Sequence, residues 1–302
     1  GIGREPMGAH FHIYGNSQDA HNQTGEQTAP LEGQWTFNLY ASPENVPQDW
    51  LSIQQDGAEG RAISVPHLWT MDDAESDQPI YTNVRMPFRH EPPRTPQHNP
   101  TGIYRCWFDV EKLDGRTLIN LEGIENCYEI ALNGEWLGFN KDARLPAQFE
   151  LSSKLRRGQN LLALKVLKFS DASYIEDQDQ WWHGGIHRPV TLTRRPDVFI
   201  RDVYAKPVYD SDAGRGELTV SITLDGQDRS SIHHQCEIQL LSPNGRAKFR
   251  NPPHASLEKS DFAPVTGRGP TLTLTKSVGK VQAWTAETLS LIHISEPTRP
   301  SS

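Results

Sequence analysis

Residues 174–188 combine carboxylates, aromatic rings and glycines in a pattern that suits carbohydrate binding. Glu176, Asp177 and Asp179 fall within four positions, and two tryptophans and a Gly-Gly pair follow them. Carboxylates accept hydrogen bonds from hydroxyl groups or hold a hard cation, and the flat indole rings suit stacking on the apolar faces of sugars. The segment therefore predicts a sugar-binding site.

The elements that must position this site read as short β-strands. Apolar residues alternate over 31–40, which predicts a half-buried strand. The Asn133-Gly134 pair between two apolar runs predicts a tight hairpin, because both turn residues need positive φ. No long helical periodicity occurs in the sequence, so the pattern predicts an all-β chain. Further short strands are predicted at 62–66, 80–84, 102–110, 118–121, 160–166 and 190–193.

The strand pattern suggests four consecutive segments. Residues 1–30 are predicted to form an extended N-terminal arm and residues 31–195 a jelly-roll β-sandwich. Residues 196–288 suit an immunoglobulin-like β-sandwich, but only four or five of about seven strands are visible, so this unit is predicted to be truncated. Residues 289–302 resemble the translation of a sequencing adapter, and we expect them to belong to neither sandwich.

Charge and composition exclude several classes of partner. The net charge is −8 and no run of five or more basic residues occurs, so we expect neither nucleic acid nor membrane as a partner. Residues 1–22 lack the features of a secretory signal. Cys106, Cys127 and Cys236 are widely spaced and odd in number, which favours reduced thiols in a cytoplasmic protein.

Eight ordered blocks resemble the large bacterial β-galactosidases of glycoside hydrolase family 2. The resemblance extends over about residues 4–288 and implies a galactose-binding-like jelly-roll as the first domain. The blocks are Gly33–Phe37, Val65–Trp69, Pro79–Val84, Asn99–Gly102, Leu132–Gly134, Gly138–Phe149, Ser170–Ile186 and Ala283–Glu287.

This resemblance implies that the chain is the N-terminal fragment of a β-galactosidase. Such enzymes hydrolyse terminal non-reducing β-D-galactose residues with retention, as in lactose catabolism. Two glutamates of a TIM barrel carry the chemistry, and the acid/base follows an asparagine. The present sequence has no Asn-Glu dipeptide and no barrel pattern. The chain is therefore predicted to contain no catalytic residue and to be inactive alone.

The resemblance also implies which residues face the substrate. Asn83 and Val84 of the Tyr-Thr-Asn-Val block, together with Asp179, are expected to line the galactosyl site. Asp179 is further expected to bind sodium, in a site completed by the missing barrel. Magnesium is expected in the barrel itself, and this chain alone should hold neither ion stably.

The sequence departs from the common family pattern just after Asp179. Trp182 stands where many relatives have Arg, and His187 and Pro189 replace Phe and Asp. These departures leave the contacts to the aglycone or to a neighbouring domain open.

The expected partners are a β-galactoside, the missing barrel and C-terminal domains, and further copies of the chain in a tetramer. Two other functions stay open: a free-standing carbohydrate-binding module, and a family 2 enzyme of different specificity, such as a β-glucuronidase or β-mannosidase. The N-terminal arm could also complement another chain at a subunit interface.

Several prominent residues have plainer interpretations. Glu176 and Asp177 are expected to be structural, since one loop cannot aim every carboxylate at one ligand. Trp181 and Trp182 suit either a core or interface position or direct sugar stacking. The remaining tryptophans on predicted strands are expected in the core, and these are Trp35, Trp69, Trp107 and Trp136.

Overall fold

A computed structural model gives the fold of the 302-residue chain. The chain divides into two compact units. The first holds most of the residues up to Pro196, and the second consists of the residues from Asp197 onward together with the N-terminal segments Gly8–Phe11 and Asn16–Thr24. Val84 and residues 289–302 lie outside the described residues. The structure describes residues 1–6, 8–9, 11–31, 33–53, 60–72, 77–83, 85–226, 234–242, 244–257, 270–281 and 283–287.

The first unit is built from antiparallel strands. They are β1 (Thr28–Pro30), β2 (Gly33–Tyr40), β3 (Arg61–Val65), β4 (His67–Leu68), β5 (Ile80–Tyr81), β6 (Thr101–Val110), β7 (Arg116–Leu121), β8 (Ile124–Glu125), β9 (Cys127–Leu132), β10 (Glu135–Asn140), β11 (Ala147–Glu150), β12 (Gly158–Leu167), β13 (Trp181–Trp182), β14 (Gly185–Ile186) and β15 (Val190–Arg195). Short 3₁₀ turns occur at Pro43–Asn45, Trp69–Met71 and Asp171–Tyr174.

Two sheets form the sandwich of the first unit. The larger has six strands in the order β10-β9-β12-β6-β2-β3, and the smaller has four in the order β1-β15-β7-β11. Two small sheets, β4-β14-β8 and β5-β13, accompany them. The strand order differs from the chain order in each large sheet, so distant segments of sequence become neighbours.

The core lies between the two large sheets. Tyr104 of β6 and Leu164 of β12 are fully buried in one cluster with Ile119 of the smaller sheet. A second cluster, with Trp50 and Ile103, covers the other face of the six-stranded sheet. Burial on both faces explains why the central strands read as nearly continuous apolar runs rather than as alternating ones.

The prediction of four core tryptophans is half right. Trp35 and Trp69 are buried, whereas Trp107 and Trp136 are 36% and 44% exposed, so their assignment to the core is wrong. Trp107 lies one position from the buried Phe108 and so points to the opposite face of β6. Trp136 is the second residue of β10, next to the hairpin turn, where the strand is exposed.

The Asn-Gly hairpin is confirmed. Asn133 and Gly134 join β9 to β10 with φ of 53° and 86°, the left-handed values that a two-residue turn of this twist requires. The Asn133 amide also donates to Asn160 Oδ1 at 2.8 Å, which ties the turn to β12.

The predicted N-terminal arm contains regular pieces. Ile2 bridges to Phe139 of β10, while α1 (Ser17–Asn22) is a six-residue helix with Asn16 as its N-cap. The strand β1 pairs with β15. These pieces are too short to show a periodic pattern of apolar residues, because the helix has six residues and the strand β1 has three. The idea that the arm complements another chain stays a prediction.

The second unit is a smaller β-sandwich. Residues of both its sheets, among them Ile222, Leu257 and Leu272, share one apolar cluster. The all-β prediction, with two β-sandwich units, is confirmed. Its strands are β16 (Val198–Asp210), β17 (Arg215–Gly226), β18 (His234–Glu237), β19 (His254–Leu257) and β20 (Thr271–Val278), in the sheets β16-β17-β20 and β18-β19.

The three cysteines are all free thiols. Within the described part of the chain, no helix has the length and apolar character needed to cross a membrane.

Candidate sugar-binding site

The short strands β5 and β13 bring the two predicted site segments together. They pair antiparallel, with Tyr81 opposite Trp181 and Ile80 opposite Trp182. Asn83 lies two residues beyond Tyr81, and Asp179 lies two residues before Trp181. The ladder ends at the Tyr81–Trp181 pair, and continuing its antiparallel register by two positions would bring Asn83 opposite Asp179. Residues almost 100 positions apart thus meet at one end of the ladder.

Asp179 is exposed and is held by Tyr81. The Tyr81 hydroxyl donates to Asp179 Oδ1 at 2.6 Å. This bond raises the pKa of the Tyr81 phenol, with smaller contributions from burial and from the Asp179 charge. Among the described residues the Asp179 side chain makes this hydrogen bond alone, so Oδ2 is available to a hydroxyl group or a cation.

Asn83 is exposed at the same end of the ladder. Its side-chain amide makes no hydrogen bond within the part of the chain that the structure describes, which leaves one acceptor and two donor positions for a ligand. Val84, the third predicted residue, lies outside the described residues, so its role in the pocket stays a prediction.

The two adjacent tryptophans have different environments. Trp181 is 52% exposed, and its ring lies 5.4 Å from that of Tyr81 at an angle of 40°. Trp182 is 9% exposed, packs on Phe169 and donates its indole N–H to Thr82 Oγ1 at 3.0 Å. Trp182 is therefore structural, and Trp181 is the indole that a sugar can reach.

The Glu176 carboxylate is used in hydrogen bonds that hold its loop in place. Its two oxygens accept from the Asn126 amide at 2.8 Å and from the Ala143 backbone N–H at 3.1 Å. Burial raises the pKa of Glu176, and the nearby Asp142 charge adds to this effect. The expectation of a structural role for Glu176 is confirmed, because both oxygens are occupied by these bonds.

A buried ion pair lies beneath the site. Lys168 Nζ is 2.6 Å from Asp77 Oδ1, and the side chains are 1% and 10% exposed. Asp77 Oδ2 accepts from the indole N–H of Trp69 at 2.8 Å. Asp77 stands only three residues before β5, and Lys168 directly follows β12.

A narrow cleft adjoins Trp181. Within it His183 Nδ1 lies 2.8 Å from Thr70 Oγ1, and burial together with the charges of Lys168 and Arg144 lowers the pKa of His183. A roomier cavity of about 300 Å³ lies elsewhere on the first unit and contacts neither Asn83 nor Asp179. The narrow cleft is lined by Glu125, Asn126, Arg144, Lys168, Glu176, Gln180, Trp181, Trp182 and His183.

Sequence reasoning missed three residues that shape the site. Tyr81 belongs to the Tyr-Thr-Asn-Val block, but its bond to Asp179 depends on strand pairing. Asp77 and Lys168 are 91 positions apart in sequence, so no local pattern joins them. A lysine that follows an apolar strand looks like an ordinary surface residue.

The residues present supply only part of a cation site. Among the described residues, no group of three His, Cys, Asp or Glu side chains is placed to hold a metal. Asp179 offers carboxylate oxygens, the ligand type that hard cations prefer. A cation at Asp179 would therefore take most of its ligands from outside these residues.

Comparison with protein families gives a match to the family described as glycosyl hydrolases family 2, sugar binding domain. The match spans residues 28–196, more than half of the chain, and it includes Asn83, Asp179, Lys168 and Asp77.

Curated relatives point in the same direction. A β-galactosidase of Vibrio cholerae is 39% identical over 243 residues, covering 80% of this chain and 23% of the relative. One from Enterobacter cloacae is 40% identical over 222 residues, covering 72% and 21%. One from Photobacterium profundum is 35% identical over 273 residues, covering 89% and 25%. The chain thus spans about a quarter of the length of these relatives.

Solved structures share the fold. A β-glycosidase from Bacteroides vulgatus matches with a TM-score of 0.63 at 19% identity, covering 86% of this chain and 30% of that one. A β-glucuronidase from Bacteroides uniformis matches with a TM-score of 0.62 at 18% identity, covering 87% and 29%. At such identities the likeness shows the architecture alone.

Proposed function

The chain belongs to the glycosyl hydrolase family 2 sugar-binding domains, and from this premise we propose that it is the N-terminal part of a retaining β-galactosidase. The complete enzyme would remove terminal non-reducing β-D-galactose residues from β-galactosides, and would serve lactose catabolism. The observation that supports the proposal is the β5–β13 pairing, in which the Tyr81 hydroxyl of one site segment donates to Asp179 of the other, two residues from Asn83.

Asn83 and Asp179 suit a galactosyl group chemically. The Asn83 amide can donate to one hydroxyl and accept from its neighbour, as a vicinal diol requires. Asp179 Oδ2 can accept a further hydroxyl, and a charge-assisted bond of this kind is about twice as strong as a neutral one. We place Val84 in the same pocket. These groups orient the sugar but offer no nucleophile or proton donor at the glycosidic bond.

The bond-breaking groups would come from a barrel that the complete enzyme contains. Retention requires two carboxyl groups about 5 Å apart, one as nucleophile and one as acid/base. Asp179 is held by a phenol and faces solvent beside aromatic rings, an arrangement for binding rather than for proton transfer. The chain by itself is therefore proposed to be inactive.

Two cations accompany this proposal. Asp179 would contribute one hard oxygen ligand to a sodium ion, whose other ligands would come from the barrel and the sugar. Magnesium would lie wholly in the barrel. Neither ion is expected to bind this chain stably, since a single carboxylate cannot replace most of a hydration shell.

The complete enzyme is further proposed to be a cytoplasmic homotetramer. The relatives named above support the enzyme class, while assembly and location follow from the family resemblance. Within the predicted arm, Ile2 and Arg4 bridge to Phe139 and Phe149 of the same chain.

The proposal is tested with the complete product of the gene. That product and the 302-residue chain are each assayed with p-nitrophenyl β-D-galactoside, β-D-glucuronide and β-D-mannoside. We expect the complete product to favour the galactoside by about 10³-fold or more in kcat/KM, because hydrogen-bonded sugar sites discriminate strongly. The chain alone should show no turnover.

Two results would replace the proposal. A preference for the glucuronide or the mannoside would keep the enzyme class and change the sugar. A gene that ends near residue 288, with a product that binds galactose without hydrolysing it, would establish a carbohydrate-binding module instead. The exposed Tyr81–Trp181 pair makes that second outcome chemically reasonable.

A matched pair of variants assigns the role of Asp179. In the complete product, Asp179→Asn should lower kcat/KM for the galactoside by about 10²-fold, the usual scale for losing one transition-state hydrogen bond. Asp177→Asn removes a carboxylate from the same exposed loop and should change kcat/KM by less than about twofold. Equal effects of both variants would contradict the assignment.

A further inference from the structure

Beneath the proposed sugar site lies a buried group of three residues, Trp69, Asp77 and Lys168, here named the anchor. We infer that the anchor positions the two segments that carry Asn83 and Asp179, so that both face one sugar. The inference rests on the proposed function, because it takes these two side chains as the sugar contacts.

The side-chain polar atoms of the anchor are hydrogen-bonded to one another or to the adjacent backbone. Lys168 Nζ donates to Asp77 Oδ1 at 2.6 Å and to the Gln78 carbonyl at 3.2 Å. Asp77 Oδ2 accepts from Trp69 Nε1 at 2.8 Å. Both carboxylate oxygens are thus used, which is the condition under which a buried ion pair is tolerated. The bond to Gln78 fixes the backbone two residues before β5.

Trp69 connects the anchor to the second segment. Its backbone N–H donates to the Gly184 carbonyl at 3.0 Å, two residues after β13. The indole covers Gly184 so closely that an added Cβ would lie 2.1 Å from Cζ2. Trp69 itself is fully buried and packs on Phe37 and Tyr104 of the central sheet. The Trp69 side chain therefore connects both segments to the core.

Such a device is needed because the β5–β13 pairing is very short. It has two residue pairs, and an isolated pairing of strands this short is not stable in water. A buried ion pair adds little net stability compared with apolar side chains of the same volume, but it constrains where its partners lie. Lys168 and Asp77 therefore act as positioning residues.

Hydrogen–deuterium exchange of the 302-residue chain tests this role without any sugar. Lys168→Met leaves Asp77 buried without its cation, so peptides covering 77–83 and 181–185 should exchange about tenfold faster or more. Peptides of β6 and β9 should change by less than about twofold. The matched control is Lys165→Met, which removes the 3.0 Å ion pair to Glu129 from the adjacent strand β12 and should leave 77–83 unchanged.

A rescue separates positioning from general destabilisation. The double variant Asp77→Asn/Lys168→Met removes both charges, and the new amide oxygen can still accept from Trp69. Exchange of 77–83 and 181–185 should return to within about threefold of the original chain. Lys168→Arg, which keeps the charge, should also retain protection. These two variants test the inference even if Lys168→Met does not fold.

The outcomes distinguish this inference from the proposed function. Uniform acceleration across all peptides, or failure of the double variant to restore protection, would overturn the anchor and leave the enzyme assignment untouched. Local acceleration with rescue supports the anchor. If the complete product then hydrolyses no β-galactoside, the proposed function is wrong and the anchor remains a device that positions the Asn83 and Asp179 segments.

Discussion

Two strand pairings in the first unit differ in length by a factor of five. The β6–β12 ladder joins ten residue pairs, from Thr101–Leu167 to Val110–Gly158, at the centre of the six-stranded sheet. The β5–β13 ladder joins two pairs and carries the candidate sugar site at its end. The long ladder is surrounded by buried apolar side chains, whereas the short one has an exposed aromatic pair on one face.

The long ladder contributes to the stability of the fold, whereas the short ladder carries the residues proposed for recognition. Side chains such as Leu162 and Leu164 contribute apolar burial to the long ladder, so opening it requires exposing the core. The short ladder owes its register to side-chain bonds, among them Tyr81 to Asp179 and Trp182 to Thr82. The proposed binding groups thus lie beside a short ladder that contributes little to the core, as is common for ligand-binding segments.

The largest expected contrast is in amide exchange of the unmodified chain. Amides of β6 and β12 should exchange only through global unfolding, while those at Tyr81 and Trp182 should exchange through local opening. We expect the rates to differ by about 10³-fold or more, since local openings cost far less free energy than unfolding. Equal protection of the two ladders, measured by exchange and mass spectrometry, would remove the distinction between them.

Removing the residue that links the two regions should have the next largest effect. Trp69→Ala is expected to lower the free energy of unfolding by about 3–5 kcal/mol, because it leaves a large cavity in the core. Trp136→Ala removes an indole that is 44% exposed and should cost less than about 1 kcal/mol. Urea titrations measure both changes, and a similar cost for the two would contradict the packing described above.

The smallest effect concerns titration at the site. The bond to Asp179 favours the neutral Tyr81 phenol and raises its pKa above the ordinary value of 10.0. The stabilisation is therefore present below pH 10 and is lost as the pH rises through the elevated pKa. Asp179→Asn should lower the Tyr81 pKa toward 10, seen as an earlier rise in phenolate absorbance that is missing when Tyr81→Phe is added. An unchanged titration curve would show that Asp179 does not hold Tyr81.

The sequence predicts the long strands of the first unit and, within the strand expected at 80–84, the short strand β5, but it misses short elements such as β13 and β14. Strands such as β6 and β12 have enough apolar residues for a pattern, and the Asn133-Gly134 turn has specific conformational needs. The two-residue strands β13 and β14 contain a single repeat of the strand alternation, which is too short to form a recognisable pattern. Trp107 shows a further limit, because strand propensity does not tell which face of a doubly covered sheet a residue occupies.

The sequence likewise predicts only part of the candidate site. Asn83, Val84 and Asp179 are named by resemblance to a family, whereas residue types alone favour only a carbohydrate site in 174–188. The supporting residues Asp77 and Lys168 come together through pairing of distant segments, which no local spacing encodes. Tertiary structure supplies what the sequence pattern lacks, namely the register that sets the two segments side by side.

A designed disulfide would test most directly whether Asn83 and Asp179 share one site. Asn83→Cys and Asp179→Cys are introduced into a chain whose three native cysteines are replaced by alanine, and Asp177→Cys replaces Asp179→Cys in the control. Opposite residues of an antiparallel pair have Cα atoms about 4.5–5.5 Å apart, within the range that a disulfide spans. We predict rapid crosslinking of positions 83 and 179 in the folded chain and little at 83 and 177. Crosslinking at 83 and 177 alone, or at neither pair, would contradict the account.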